Sequence, residues 1–596
     1  MVYNADLFGP ARMAIYLDQL SAVFEQAVTA PGKSIEHFSL LAPSTEALLP
    51  DPVGPLGDRW FGTVHEMISR QTQAGPKRWA LTDVTGNWRY RELDLQSNQL
   101  AHYFLDHGLR RRDVIAIYAQ RSASLVVALL GALKAGAVFV VLDPAYPAAR
   151  LIDYLSIAEP KAWLQLEPAG ELPETLAKFL GSAGLCCRLN LPPTKNEIAR
   201  LLVGYSAKPP RIALGADDPA YIAFTSGSTG QPKGVLCRHG PVSHFLPWQE
   251  EVFALRNRDR YSLLSGLGYN HLQREIFTAL ASGARLYVPS GAQVKSPTLL
   301  TSWLRDRKIS ILHSTPALGR MMQTAGRDPL PSLRRIFFGG DILMRHDVAA
   351  MGRLAPKAKI VSFYGATETQ RAVGFFRVDE DESKTGAGET SAVPTGRGAP
   401  DVQLLLLTRG GRLAGVGELG DLYVRSPHLA AGYVRDEELS KLNFLTNPFT
   451  GDPRDRLYRS GELGRYRPDG NVEWVGRRDR RVSIRGFRVE LAEIESVLMQ
   501  HPEVSAAAVV AHAAQSDAMN SRSGRPKSKK AGDHPIDRQL CAYVVGASAA
   551  GPVADLSAFL AARLPHYMVP SDFIFLDRLP LSPNGKVDYL ILPALS

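Results

Sequence analysis

"DVIAIYAQRSASLVVALLGALKAGAVFVVLD", residues 113–143, sets a long apolar run between two short ones. "DVIAIYA" and "AVFVVLD" have the length and β-branched content of buried strands, while "SASLVVALLGALKAG" reads as an apolar-faced helix that stops at a glycine. Strand, helix, strand in that order is a βαβ unit, which pairs its strands in parallel and lays the helix across them. The unit repeats. The turn "DPAYPAAR" opens a second helix toward "KAWLQL", and "AYIAFT", "RRIFFGG" and "AKIVSFYG" read as further strands ending in small or polar residues, where ligands of such sheets gather. From "GDLYVRS" to "GNVEWVGR" the pattern becomes short strands and turns; "ELAEIESVLMQHPEV" is an amphipathic helix and "SAAAVVA" the strand after it. The expected fold class is α/β: a large N-terminal domain of parallel-sheet α/β layers plus a small mobile C-terminal α+β domain.

Composition limits the function classes. A chain of 596 residues exceeds one hydrophobic core, and 45% hydrophobic with 21% charged residues describes globular domains. No apolar run approaches the roughly 18 residues of a membrane span, and "MVYNADLFGPARM" lacks the regions of a signal peptide, so a cytoplasmic location with no membrane partner is expected. Cys186, Cys187, Cys237 and Cys541 show no metal-ligand spacing and read as reduced thiols. Half of the net charge of +10 sits in "RSGRPKSKK", residues 522–530, within a polar, aperiodic stretch from Gln515 to Asp533. Without aromatic residues for base stacking it reads as a flexible surface loop, and no nucleic acid partner is expected.

"TSGSTGQPKG", residues 225–234, is too rich in small residues for a packed helix or strand. Its backbone N–H groups are free to converge on an anion, and Lys233 adds a mobile charge. The spacing is not that of a nucleotide-hydrolase loop, because Pro232 precedes Lys233 and Gly234 follows it. Alone, such a stretch is as readily a structural turn. Other motifs decide.

"YIAFTSGSTGQPKGV", "FYGATETQ", "GELGDLYVRSPHLAAGY", "YRSGELGRYRPDGNVEWVGRRDRRVSIRGFRVELAEIE" and "NGKVDY" occur in an order that resembles the adenylation domains of nonribosomal peptide synthetases, members of the ANL adenylate-forming superfamily. The resemblance runs from about Trp60 to the end. It implies ATP-dependent activation of a carboxylic acid, with Mg²⁺ on the phosphates, followed by transfer of the acyl group to the phosphopantetheine thiol of a carrier protein. It also implies a division at residues 1–52 (a condensation-domain remnant or linker), 53–478 (adenylation core) and 479–596 (small subdomain ending at the carrier linker).

Site residues follow from the same motifs. Thr225, Ser226, Gly227, Ser228, Thr229, Gly230 and Lys233 would cradle the leaving phosphates. Glu368 would help bind Mg²⁺, Thr367 would touch phosphate, and Tyr364 would stack on adenine against a wall of Gly340 and Asp341. Lys586 would bridge the substrate carboxylate and the α-phosphate as a point charge. Arg477 would contact ribose, and Asp479 would be the hinge of the small domain, although a surface ion pair with neighbouring arginines is its plainer reading. Singly, Glu368 reads as a helix N-terminal acid, Lys586 as a solvated turn residue and Tyr364 as a core aromatic; the order of motifs makes them a site. Two positions depart from the family. Glu462 stands where an aspartate usually holds the ribose hydroxyls, and Ser483 replaces a usual lysine.

Within the superfamily, "YNHLQREIFTALASGARLYVP", "FFGGDIL" and "YGATETQRAVGFF" are similar to the adenylation region of α-aminoadipate reductases, which load a carboxylate on a carrier and reduce it. The sequence holds no L-G-G-x-S carrier motif and stops at "LPAL", so an excised module, or one acting in trans with a carrier and a reductase domain, is expected. The acid pocket implied by the family's selectivity positions is Asn270, His271, Arg274, His313, Phe337, Gly339, Phe363, Arg371 and Ala372. Two guanidiniums favour an anionic substrate tail. At Asn270 the family has an aspartate that pairs with the substrate's α-ammonium, and an amide cannot neutralise that charge. A second acidic or polar group, with or without an α-amine, is therefore the expected substrate feature. An acyl-coenzyme A ligase and a noncatalytic ligand-binding module are the alternatives.

Overall fold

The computed structural model describes residues 2–5, 9–227, 231–268, 271–326, 328–378, 391–484, 486–513, 538–546, 553–580, 587, 589 and 592. The opening βαβ unit is present as expected. Val114–Tyr118 and Val138–Leu142 pair in parallel, with Val114 opposite Val138, and Ala123–Lys134 is the crossover helix. Every residue of that helix is buried, so the hydrophobic effect fixes it, while the Ser122 side chain caps its start by accepting from the Leu125 N–H. At Gly131 a Cβ would come within 2.8 Å of Leu100, so only glycine lets the helix Tyr90–Asp106 approach this closely. The last residue of the crossover helix, Lys134, is buried yet paired: Nζ donates to Asp94 and Asn98, each at 2.7 Å.

This unit lies in a seven-stranded sheet whose order is Gly432–Tyr433, Lys233–Arg238, Pro219–Thr225, Val138–Leu142, Val114–Tyr118, Ala162–Leu166 and Cys187–Leu191. The last five are parallel to one another. A nine-stranded sheet carries the parallel strands Arg260–Ser262, Ile311–Ser314, Arg335–Phe338 and Lys359–Tyr364 side by side. Together the two sheets are the α/β layers read from the sequence.

Two segments depart from that reading. The two ends of the stretch 225–234 are strand: Thr225 closes one, Lys233 opens the next, and the two residues pair in antiparallel fashion. Among the short strands expected from 420 to 477 stands an eleven-residue one, Arg456–Tyr466, which survives Gly461 at φ +74° because strands flank it on both sides. Cross-strand pairing overrides local glycine content there.

Beyond Asp479 lie the hairpin Arg481–Ile484 and Phe487–Glu490, the helix Leu491–Leu498, and a sheet of Val504–Ala513, Arg538–Gly546 and Asp572–Phe575. Ile494, Val497 and Leu498 bury one face of the helix against Val509, Ala542 and Val544. Near the N-terminus the helix Pro10–Thr29 docks on the large domain through Gln19, whose amide donates to the Val416 carbonyl at 2.9 Å. All four cysteines are free thiols. Among the described residues no helix is long and apolar enough to cross a membrane. The basic segment 522–530 lies outside the described residues.

Candidate active site

The hairpin turn after Thr225 meets the small domain directly. Ser226 Oγ donates to the Arg488 carbonyl at 3.0 Å and accepts from the Glu490 N–H at 3.2 Å, while the Gly227 N–H donates to Glu493 Oε2 at 3.1 Å. A Cβ at Gly227 would fall 1.9 Å from the Gln231 carbonyl oxygen, so this close turn requires glycine. Glu493 is wholly buried, and so is Arg150, whose Nη1 lies 2.6 Å from Glu493 Oε1. Burial pushes the Glu493 carboxyl up, against the pull of Arg150 and the Gly227 N–H. The loop thus already holds an anion, supplied by the helix Leu491–Leu498. Glu490 is pushed up to about 7, chiefly by burial, with Lys233 and Arg488 opposing. Ser228, Thr229 and Gly230 lie outside the described residues.

Glu368 sits in the 3₁₀ turn Thr367–Thr369, just past the carboxyl end of Lys359–Tyr364. Its Oε1 accepts from the Tyr433 hydroxyl at 2.8 Å and its Oε2 from Arg488 Nη1 at 3.3 Å. Burial works to raise this carboxyl, yet the Arg488 charge and the hydrogen bonds from Tyr433 and Tyr458 together hold it below its usual range. It is ionised at neutral pH. Thr367 is half-buried beside it. Among the described residues no group of three or more His, Cys, Asp or Glu side chains could hold a metal. A single ionised carboxylate completed by phosphate and water oxygens suits Mg²⁺.

Gly340, Asp341, Tyr364, Glu462, Arg477 and Tyr589 line a cleft of ≈ 580 Å³ between the domains. Burial, then the neighbouring Glu462, pushes the Tyr364 hydroxyl well up, and burial also raises Asp341. Glu462 Oε1 accepts from Arg477 Nη1, and Glu462 Oε2 is buried with no hydrogen-bond partner among the described residues. The longer side chain that stands where the family has aspartate thus ties one oxygen to Arg477. Asp479 accepts from Arg477 Nε at 2.7 Å and from Arg481 Nε at 2.7 Å, so it is an ion pair at the domain junction. The plainer sequence reading of Asp479, an ion pair with neighbouring arginines, is the one seen here. Lys586 lies outside the described residues, although Tyr589 in the same motif is placed, its hydroxyl accepting from Arg480 Nη1 at 2.6 Å.

The expected acid pocket converges on Arg274. His271 and Arg274 come from the helix His271–Ala281, His313 and Phe337 from adjacent strands, and Phe363 from the strand beyond. The rings of Phe337 and Phe363 stack at 4.9 Å, and the Arg274 guanidinium lies 5.4 Å from the Phe363 ring centre. At Gly339 a Cβ would sit 3.7 Å from Arg274 Nη2, so the small residue lines the guanidinium without crowding it. Arg274 Nε is buried without a partner, and burial holds this arginine down to about 10. Its neighbour Glu275 offsets that only in part, because the Glu275 carboxylate is bound by the Leu264 and Ser265 N–H groups and the Ser265 hydroxyl. No described carboxylate pairs with Arg274. Burial and then the Arg274 charge keep His271 and His313 neutral.

Arg371, beside the buried Ala372, is held by a histidine and not by a carboxylate. Its Nη1 is 2.6 Å from His244 Nδ1, and His244 Nε2 is 2.8 Å from Asp401 Oδ2. Asn270 lies outside the described residues. Arg150, His244, Asp401, Tyr433, Arg488 and Glu493 carry no signal in the motif reading. Arg150, Tyr433, Arg488 and Glu493 fall inside quoted stretches, but none of them stands out there as a site residue.

The sequence pattern of the AMP-binding enzyme family matches residues 68–434. The chain belongs to that family. Such AMP-binding enzymes use ATP, and this one is an adenylate-forming enzyme of the ANL fold, homologous to L-2-aminoadipate reductases and to nonribosomal peptide synthetase adenylation domains. It is 35% identical to the L-2-aminoadipate reductase of Saccharomyces cerevisiae over 99% of this chain and 46% of that protein. It is 32% identical to bacitracin synthase 3 of Bacillus licheniformis over 100% of this chain and 9% of that protein. The chain therefore spans less than half the length of these relatives. Among solved structures, an artificially fused adenylation–PCP di-domain protein from Klebsiella oxytoca matches with a TM-score of 0.72 at 26% identity, covering 86% of this chain and 94% of the other.

Two outcomes follow for this AMP-binding enzyme. Removing one partner of a buried ion pair leaves the other charge unpaired, at a cost of about 3 kcal/mol; Arg150→Met should lower the opening free energy of the helix 491–498 by that order in hydrogen exchange, and unchanged protection would contradict the assignment. Glu490 has a native pKa raised to about 7, so its contribution to domain docking is full below its ordinary value and is lost as pH rises through about 7. Hydrogen exchange at the domain junction should quicken across that interval, and Glu490→Gln should flatten the dependence.

Proposed function

We propose that this enzyme adenylates a small carboxylic acid bearing a second acidic group and passes the acyl group to the phosphopantetheine thiol of a carrier protein. The observation that carries the reading is the pair of buried guanidiniums, Arg274 and Arg371, which leave Arg274 Nε and Arg371 Nε and Nη2 without partners among the described residues. Buried unsatisfied donors are costly in the free protein and are repaid by an anionic ligand. Similarity to L-2-aminoadipate reductase supports an acid of that class.

In this reading Tyr364 takes adenine against Gly340 and Asp341, while Glu462 and Arg477 take ribose. The loop from Thr225 to Lys233 takes the β- and γ-phosphates, which replace the Glu493 carboxylate on the Gly227 N–H. Glu368 is freed when Arg488 withdraws, and Mg²⁺ held there with Thr367 nearby would neutralise phosphate charge. Lys586 then bridges the two anions. A carboxylate oxygen of the substrate bonds to the α-phosphorus as the bond to pyrophosphate breaks, and the acyl adenylate stays against Arg274 and Phe363. After rotation of the small domain about Asp479, the carrier thiolate bonds to the acyl carbon and AMP leaves with the bonding electron pair. His271, His313, Phe337, Gly339 and Ala372 shape the acid pocket, and Asn270 disfavours an absolute need for an α-ammonium. A reductase following the carrier is in keeping with the same relative.

Pyrophosphate release with L-2-aminoadipate, 2-oxoadipate, adipate, glutarate and neutral amino acids tests this directly. A diacid should be preferred, and Lys586→Ala should lower its turnover by about 100-fold or more, the cost of one transition-state charge contact. Preference for a neutral amino acid would sink the two-guanidinium reading, and efficient turnover with coenzyme A would favour an acyl-coenzyme A ligase.

A further inference from the structure

Arg371 is held from one side only. A guanidinium has no acceptor, so in the 2.6 Å contact between Arg371 Nη1 and His244 Nδ1 the imidazole nitrogen must accept. The neutral ring then carries its proton on Nε2, which donates to Asp401 Oδ2 at 2.8 Å. Asp401 is itself fixed: Oδ1 accepts the Gly57 N–H at 2.6 Å, and the residue sits in the left-handed region at φ +58°, a conformation that aspartate tolerates better than most side chains. His428 stacks on His244 at 4.1 Å, and Phe61 meets it edge-on at 6.2 Å. Burial, then the charges of Arg371 and Arg238, pushes His428 down to about 2, so it is a neutral wall. The charged groups facing His244 are thus Arg371 on one ring nitrogen and Asp401 on the other.

This arrangement leaves a specific edge of Arg371 unused. Nε and Nη2 are both buried and both without hydrogen-bond partners among the described residues. In a guanidinium, Nε–H and the adjacent Nη2–H point the same way, as the two parallel donors that match the two oxygens of a carboxylate. The imidazole also keeps the Asp401 carboxylate one ring away, so the guanidinium charge is oriented without being consumed by a direct ion pair.

We propose that Asp401 and His244 are a positioning pair that presents the Nε–Nη2 edge of Arg371 to an anionic group of the acid substrate and thereby sets the preference for substrates with a second negative charge. The inference rests on the substrate class given under the proposed function. Neither His244 nor Asp401 touches the substrate or the nucleotide; both act through Arg371.

The test compares matched acids that differ in one charge, adipate against hexanoate and L-2-aminoadipate against L-norleucine, in pyrophosphate exchange by the full chain. Arg371→Gln, His244→Phe, His244→Asn and Asp401→Asn are assayed beside the wild type. His244→Phe should raise KM for the dianionic acid about tenfold or more while leaving kcat and the KM of its singly charged partner within about twofold. His244→Asn, which keeps an acceptor near the Nδ1 position, should recover part of the loss, Asp401→Asn should show a smaller change of the same kind, and His244→Phe should add nothing to Arg371→Gln. If Arg371→Gln erases the preference and His244→Phe leaves it intact, or if His244→Phe harms both acids of a pair equally, the positioning pair is refuted while the substrate reading stands. If the wild type itself does not distinguish the acids of either pair, both fall together.

Discussion

The carboxylate of Glu493 is the contact on which the arrangement of the two domains depends. It is wholly buried, it pairs with Arg150 of the large domain at 2.6 Å, and it accepts the Gly227 N–H of the glycine-rich turn. A buried charge is tolerable only when paired and hydrogen-bonded, so undocking the helix Leu491–Leu498 must either hydrate both ions or supply Arg150 and the turn with another anion. Beside it, Arg488 of the same hairpin and helix pairs with Glu368. The small domain thus presents an anion to a donor-rich loop and a cation to a buried carboxylate, the same signs of charge that nucleotide phosphate and a metal would bring there.

Each of these charges is matched within the folded chain. Glu368 stays ionised because Arg488, Tyr433 and Tyr458 outweigh its burial. The cleft lined by Tyr364, Glu462 and Arg477 stays formed because Asp479 ties Arg477 to Arg481 at the junction. Around Arg274 and Arg371 the logic is reversed. Arg274 and Arg371 retain unpartnered N–H groups in buried surroundings, and the aromatic pair Phe337 and Phe363 gives the pocket a rigid apolar wall.

Local patterns in the chain were enough to read the βαβ repeats, because each strand there is a short apolar run and the helix between them is apolar on every side. Pairings across glycine-rich sequence were not legible: Thr225 opposite Lys233, and the long strand Arg456–Tyr466, owe their conformation to neighbours that no window of residues contains. Of the residues singled out from the motifs, Tyr364, Glu462, Arg477 and Asp479 line one cleft, and Glu368 contacts Arg488, which also lines it. What stayed hidden was every partner. Arg150 reads as one more basic residue on a helix, His244 as a polar residue inside "PVSHFLPW", and Asp401 as a turn residue, since the contact between the last two spans 157 positions. Electrostatic partners separated this far carry no periodicity and no spacing rule.

Calorimetric affinities of the full chain and its Glu493→Gln variant, measured in parallel for AMP and for ATP with magnesium, test whether the small domain occupies the phosphate site. The variant, which loses the competing negative charge, should bind ATP about tenfold more tightly, a gain of about 1.4 kcal/mol, and AMP with unchanged affinity because AMP does not reach the turn at Gly227. Equal changes for both nucleotides, or no change for ATP, would contradict a small domain that competes with phosphate through Glu493.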